Sequence, residues 1–141
     1  MFSELIKYKE KGVFFFRVSD TLSEVCNVPN NSSGIYLIFA VFNEQTDLIY
    51  IGISGRKGED GKIKHRKDGL RGRFLTGKTD GLLRKFAWPA RMIAQNIPKL
   101  EIHWYVTHGE YNNDFPRDLE IDLLTQYYKR NGSLPKWNKR I

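Results

Sequence analysis

The chain has 141 residues, of which 40% are hydrophobic and 28% charged, and its formal net charge is +7. This length and apolar content suit one folded domain with its own core, and they exclude a disordered chain. Because Cys26 is the only cysteine, an intramolecular disulfide and a thiolate zinc cluster are excluded too. The first residues lack the apolar core of a signal peptide, and the longest apolar run is too short for a bilayer, so we expect a soluble, cytoplasmic protein without membrane contact.

The first half of the chain alternates between strand patterns and short helical patterns. The amino-terminal 33 residues are predicted to form an extension that packs on the main domain and carries a helix, a strand and a helical turn, at 2–11, 13–18 and 20–26. The apolar runs 34–42 and 48–53 follow, and the polar residues between them predict an antiparallel hairpin. The glycine-containing segment 54–67 has no periodicity, so we predict a mobile loop there.

The second half of the chain predicts one more strand, at 100–108. It also predicts three helices, at 68–77, 81–97 and 115–132. The pattern of 81–97 is expected to break near Pro89, because proline lacks the amide hydrogen that a helix interior needs. Pro116 and Gly132 mark the start and the end of the last helix. Together these elements predict an α+β fold, with a small three-stranded antiparallel sheet flanked by helices in a domain that covers 34–141.

The positive charge is concentrated in one segment. From Ile53 to Lys78 there are nine lysines and arginines against three acidic residues, whereas the first 33 residues carry four of each sign. Such a patch is the electrostatic footprint of a protein that binds a polyphosphate backbone, although a solvated basic loop has the same composition. The predicted nucleic-acid contacts in this segment are Arg56, Lys57, Lys62, Lys64, His65, Arg66, Lys67, Arg71 and Lys78. The remaining arginine of the segment is Arg73.

One carboxylate shares the apolar face of the last predicted helix. At 100° per residue, Glu120 lies at the centre of a stripe that contains Leu123, Leu124, Tyr127 and Tyr128. The opposite, solvent-facing side is predicted to carry Asp122, Gln126 and Lys129. An inward carboxylate carries a desolvation cost unless it is paired. Glu120 is therefore either a first-turn glutamate favoured by the helix dipole, whose side chain extends to solvent, or a metal ligand or acid–base group that faces a cleft.

The predicted hairpin carries a tyrosine beside a glycine in each strand. Tyr36 or Tyr50 alone is an ordinary strand residue. Gly34 and Gly52 weaken a strand unless another backbone or a ligand must come close, so they indicate that something packs tightly against the hairpin.

Five sequence elements, taken in order, resemble the GIY-YIG nuclease superfamily. They are GIY (34–36), YIG (50–52), LRGR (70–73), Glu120 at the head of a helix and PKWN (135–138). The resemblance spans about three-quarters of the chain and implies a β-β-α-β-α core that hydrolyses DNA phosphodiesters with Mg²⁺ or Mn²⁺. It implies that the catalytic residues are the paired tyrosines Tyr36 and Tyr50, the helix arginine Arg73, the single metal-binding carboxylate Glu120, and Asn138.

The chemistry implied by this resemblance needs a base. An unperturbed tyrosine has a pKa of about 10 and is only about 0.1% phenolate at pH 7, so cations must lower the pKa for a phenol to serve. We expect Tyr36 to be the base and Tyr50 its partner, and the reverse assignment stays open. Many members carry Tyr or His where this chain has Gly77, and His65, Lys57 or Lys64 could supply the missing group.

The resemblance thus predicts a stand-alone endonuclease that acts on duplex or branched DNA and needs no small-molecule cofactor. The alternative from a different class is a non-catalytic nucleic-acid-binding module on the same scaffold.

Overall fold

A computed structural model of the chain describes residues 1–141. In the first half, the elements are a 3₁₀ turn (Ser3–Leu5), β1 (Lys11–Phe16), α1 (Leu22–Val25), β2 (Ser33–Phe42), β3 (Gln45–Ser54), β4 (Arg56–Lys57), β5 (Ile63–Lys64) and α2 (Gly69–Leu75). In the second half they are β6 (Lys78–Thr79), β7 (Leu82–Leu83), α3 (Arg84–Ala94), β8 (Lys99–His108) and α4 (Pro116–Asn131). No helix combines the length and the apolar character that crossing a bilayer requires.

The predicted α+β class is confirmed, but the predicted three-stranded sheet is wrong by one strand. The sheet has four antiparallel strands in the order β1-β8-β2-β3. The additional strand, β1, comes from the amino-terminal 33 residues and pairs with β8 from Lys11 opposite Tyr105 to Phe16 opposite Leu100. The alternation of exposed and buried residues in a strand sets its two faces, whereas its pairing partner depends on long-range packing, and this is why the pattern of residues 13–18 did not reveal the neighbour.

Strand β2 is the centre of the domain because it is apolar on both faces. Helices cover both sides of the sheet, and a strand in that position reads as a continuous hydrophobic run rather than as an alternating one. Tyr36 and Ile38 lie in the larger core cluster, which also contains side chains of α1, α2 and α3. Ile35 and Leu37 lie in the smaller cluster with Leu123 and its neighbours from α4.

Three local predictions are wrong. Of the helix predicted at 2–11, only the turn Ser3–Leu5 forms, while the segment 54–67 folds into the short ribbon β4–β5 instead of a mobile loop. Helix α3 continues through Pro89, which lies inside it, although the proline removes one backbone hydrogen bond. The buried side chains of α3 on both sides of Pro89 stabilise this helix through packing, which outweighs the local loss.

The last helix begins and ends as predicted, but its buried face is shorter. Gly132 adopts a φ of +76° and donates its N–H to the carbonyl of Tyr128, which ends the helix. Tyr128, however, is 53% exposed, and Gln126, predicted to face solvent, is half-buried and donates to Glu4. The buried residues of α4 all lie between Pro116 and Leu124, so the predicted apolar stripe ends before the helix does.

Gly34 is required by the contact between β2 and β8. A Cβ atom at this position would lie 1.9 Å from the carbonyl oxygen of Tyr105, at a register shift between Ser33 and Gly34. A backbone atom cannot swing away as a flexible side chain can, so the two strands meet only if residue 34 is glycine.

We expect Gly34→Ala to lower the free energy of unfolding by about 1–3 kcal/mol or more, because the added methyl forces β2 and β8 apart. Urea denaturation monitored by circular dichroism measures this change. Gly61→Ala serves as the control, since a Cβ there would meet no atom within 4 Å and only its φ of +80° is strained. Equal unfolding midpoints for Gly34→Ala and the wild type would contradict the steric explanation.

Candidate active site

A cleft of about 440 Å³ opens at the β3 edge of the sheet, between α3, α4 and the carboxyl-terminal residues 137–141. Tyr50, Glu120 and Asn138, three of the five predicted catalytic residues, line it. Its charge is mostly positive, since six basic side chains face only Asp80 and Glu120. The basic residues are Lys78, Arg84, Arg91, Arg117, Lys139 and Arg140. The cleft therefore favours an anionic ligand.

Tyr36 lies beneath this cleft rather than in it. The residue stands directly opposite Gly52 in the β2–β3 pair, and a Cβ on Gly52 would lie 2.3 Å from the Tyr36 hydroxyl oxygen. The glycine of the YIG motif thus leaves room for the tyrosine of the GIY motif. Tyr36 is fully buried, and its hydroxyl lies close to the Tyr50 phenol and the Arg73 guanidinium without a hydrogen bond of good geometry. The expected role of Tyr36 as the group that touches water in the cleft does not fit this position.

Tyr50 is the tyrosine that reaches the cleft. Its ring centroid is 5.9 Å from that of Tyr36, and the residue is half-buried. The neighbouring Tyr36, together with burial, raises the pKa of Tyr50 to about 12, while Arg84 and Arg73 act in the opposite direction. At neutral pH the phenol of Tyr50 is therefore protonated in the resting protein.

Arg73 lies on the other side of the tyrosine pair. It lines a separate cavity of about 380 Å³ with basic residues of the β4–β5 region and does not line the cleft that contains Glu120. Tyr36, and to a smaller extent Tyr50, raises the pKa of Arg73, so its guanidinium stays charged beside both phenols. Gly77 has no space for the Tyr or His that many GIY-YIG nucleases carry at the corresponding position, because a Cβ there would lie 2.1 Å from the Arg73 carbonyl oxygen.

Glu120 enters the cleft from the first half of α4 with a side chain that is only 13% exposed. Its Oε1 atom accepts a 2.6 Å hydrogen bond from Arg117, one turn earlier in the helix. Asp80, the other acid of the cleft, is already bound by Arg91 and Lys139. No group of three or more histidine, cysteine or acidic side chains is arranged to hold a metal ion, and Glu120 and Asp80 are the two acidic side chains that line the cleft.

Asn138 fastens the carboxyl-terminal segment to the edge of the sheet. Its side-chain amide accepts from the Ile51 N–H and donates to the Ile51 carbonyl, both at 2.9 Å, as a neighbouring strand would. Next to it, the N–H of Trp137 donates to the carbonyl of Ile49, a residue without a partner opposite it in β2. The amide of Asn138 is therefore engaged with backbone, and the residue positions one wall of the cleft.

Arg84 is the functional candidate that the sequence analysis missed. It begins α3, is 1% exposed and lines the cleft with Glu120 and Tyr50. The signal was present, since Arg84 precedes the buried Trp88 by four residues and so shares the apolar face of α3. The same criterion singled out Glu120 in α4.

The predicted nucleic-acid contacts divide into free and engaged side chains. None of the nine forms an ion pair. Arg71 donates to the carbonyls of Cys26 and Ser23, and Arg66 donates to Thr76, so both also hold the fold. Lys78 lines the cleft. His65 is exposed but is hydrogen-bonded to Ser33, and the exposed residues near the β4–β5 ribbon that remain are Arg56, Lys57, Lys62, Lys64 and Lys67.

Three residues are predicted as substitutes for the Tyr or His that is missing at Gly77, namely His65, Lys57 and Lys64. None of them lines the cleft. The Nδ1 atom of His65 is 2.6 Å from the Ser33 hydroxyl. Lys64 lines the cavity of Arg73, and Lys57 lies 5.0 Å over the ring of Phe115. His65, like Lys64, thus lies on the Arg73 side of the tyrosine pair.

No protein-family model, curated protein sequence or solved structure matches this chain. Its resemblance to the GIY-YIG superfamily stays a prediction from the sequence motifs.

Replacing Asn138 by alanine removes two hydrogen bonds to Ile51, so we expect a loss of about 1–3 kcal/mol of stability. The amides of Ile51 and Trp137 should then exchange hydrogen faster, because the segment no longer docks on β3. Exchange measured by NMR gives this result residue by residue. Asn131→Ala is the control, as Asn131 is exposed and bonds only within α4. Unchanged exchange rates at both amides would contradict the role of Asn138 in docking the segment on β3.

Tyr50 should make the protein sensitive to alkali. Its pKa in the folded chain is raised to about 12, against about 10 in an unfolded chain. The stabilisation is therefore complete below pH 10 and is lost as the pH rises from 10 to 12, because only the unfolded chain releases the proton there. Urea unfolding of wild type and Tyr50→Phe across this range measures the effect. Parallel stability curves for the two proteins would contradict it.

Proposed function

We propose that this protein is a metal-dependent DNA endonuclease of the GIY-YIG type that hydrolyses phosphodiester bonds. The observation that carries the proposal is the convergence of three motif residues from distant segments, Tyr50, Glu120 and Asn138, on one cationic cleft. The order of motifs along the chain supports the family. The α+β fold, with β2, β3, α2, β8 and α4 in sequence, is compatible with the β-β-α-β-α core that the family implies.

The charge distribution supports a nucleic acid as the substrate. The basic ribbon β4–β5 adjoins the start of α4, where Lys57 lies over Phe115, the residue that precedes the helix. A polyphosphate strand that follows these exposed cations would be led towards the helix that carries Glu120. Because neutralised phosphates release counterions, binding should weaken steeply as salt is added.

In this proposal Tyr50 is the tyrosine that contacts the attacking water, and the buried Tyr36 packs against it. Only the phenol of Tyr50 faces the cleft, and Arg84 and Arg73 both lower its pKa. They oppose the effects of Tyr36 and burial, so the balance of charge around Tyr50 decides what fraction of it is phenolate, the form that can accept a proton from water. Arg73 supplies its charge from the side of the tyrosine pair that faces the ribbon.

The donor set fits one Mg²⁺ or Mn²⁺ ion held by Glu120. Magnesium keeps most of its water shell and is bound in proteins by one or two carboxylates together with substrate phosphates. Arg117 engages only the Oε1 atom of Glu120, and Arg117 is 47% exposed, so it can turn to solvent. When bound, the cation would supply Lewis-acid charge to the phosphoryl oxygens.

A non-catalytic nucleic-acid-binding module is the second candidate. Two observations favour it: Glu120 is neutralised by Arg117, and the pKa of Tyr50 is raised rather than lowered. A protein in this state would hold DNA through its cations without supplying a free carboxylate or a phenolate.

Plasmid cleavage distinguishes the two candidates. We expect the wild type to nick or linearise supercoiled DNA with Mg²⁺ or Mn²⁺. Glu120→Gln should lower the rate by about 10²-fold or more while binding persists, because a neutral amide is a poor ligand for a hard cation. Asp122→Asn, an exposed position in the same helix, is the matched control.

If the wild type binds DNA but cuts no form of it with either cation, the endonuclease proposal fails and the binding module stands. A Glu120→Gln variant that cuts as fast as the wild type shows instead that the metal site is elsewhere.

A further inference from the structure

Arg84 is a buried cation without an anionic partner. It is 1% exposed, and it takes part in none of the five ion pairs of the protein. Neither its Nε nor its Nη1 atom has a hydrogen-bond acceptor. A guanidinium carries its charge at any pH at which a protein is folded, so it cannot lose a proton to escape this environment. Its desolvation must be offset by other contacts or by a ligand.

Three aromatic rings surround the Arg84 guanidinium. Its central carbon lies 5.3 Å from the ring centroid of Tyr36, 5.5 Å from that of Trp88 and 5.9 Å from that of Phe74. Cation–π attraction compensates part of the lost hydration. Aromatic faces accept no strong hydrogen bond, however, so the N–H groups on Nε and Nη1 of Arg84 are left without acceptors.

The other cations of the cleft are paired or exposed. Arg91 and Lys139 share Asp80, and Arg117 pairs with Glu120. Lys78 and Arg140 are exposed, so water solvates them. Among the six cations, only Arg84 is both buried and without an acidic partner, and the aromatic rings hold it against the cleft that contains Glu120 and Tyr50.

We propose that Arg84 is a substrate-binding residue that contacts a backbone phosphodiester of the strand lying in this cleft. Its anionic ligand is inferred from the unpaired guanidinium alone, while the identity of that ligand as nucleic acid rests on the proposed function. Arginine suits this role because its planar fork can donate two parallel hydrogen bonds to phosphate oxygens. The rings fix the orientation of the fork before the ligand arrives, so little conformational freedom is lost on binding.

Binding and cleavage measured separately test this inference. A fluorescent 16-base-pair duplex is titrated with full-length protein in EDTA, at several salt concentrations, for wild type, Arg84→Met and Lys85→Met. We expect Arg84→Met to bind at least about tenfold more weakly and to lower the slope of log affinity against log salt by about 0.9, since one phosphate contact is lost. Lys85→Met makes the same charge change at the neighbouring exposed residue and should have little effect.

Thermal unfolding shows whether the variant is folded. Methionine has nearly the length of the arginine stem, and it removes a buried charge, so Arg84→Met should unfold at or above the wild-type temperature. Inorganic phosphate should raise the unfolding temperature of the wild type but not that of Arg84→Met. If Arg84→Met fails to fold, Arg84→Gln provides the same comparison, because it also removes the charge and the fork.

The outcomes separate this inference from the proposed function. If Arg84→Met or, failing that, Arg84→Gln binds DNA as tightly as Lys85→Met does, the inference is overturned and the nuclease proposal is untouched. Arg84-dependent binding by a wild type that cuts no DNA with Mg²⁺ or Mn²⁺ supports the inference and overturns the nuclease proposal. A wild type that neither binds the duplex nor is stabilised by phosphate overturns both.

Discussion

The packing of the Tyr36 ring across Gly52 is the contact on which the rest of the site depends. It places a fully buried phenol under the cleft and leaves Tyr50 at the edge of the sheet. The same ring packs on Phe74 of α2 and lies over Arg84 of α3. One side chain therefore joins the central hairpin to both helices, and its position needs a glycine directly opposite.

The edge of β3 gives the site its second wall. The unpaired residue Ile49 leaves a carbonyl free for Trp137, and Asn138 then pairs with Ile51 as if it were one more strand. An edge strand with unpaired backbone groups attracts further strands, and this side-chain cap protects it from such contacts. The carboxyl-terminal segment thus pairs with the sheet and lines the cleft at once.

The positive charge of the cleft lowers the stability of the protein. Its six cations repel one another and only two acids offset them, and the buried Arg84 guanidinium, whose Nε and Nη1 atoms lack acceptors, adds a desolvation cost. Proteins retain such groups where a ligand offsets the cost, so unpaired buried polar atoms are informative about binding. Arg117 and Asp80 reduce the repulsion in the resting state by pairing with neighbours of opposite charge.

The fold class, most of the strand and helix positions and the segment in which charge accumulates could be predicted from the sequence. These properties follow from local patterns: the apolar run of β2, the stop at Gly132 and the basic residues from Arg56 to Lys78. The tertiary structure decided what depends on distant contacts: that β1 pairs with β8, that Tyr36 is buried while Tyr50 faces the cleft, and that Arg84 has no partner. Pairing and burial arise from side chains far apart in the chain, and no local pattern specifies them.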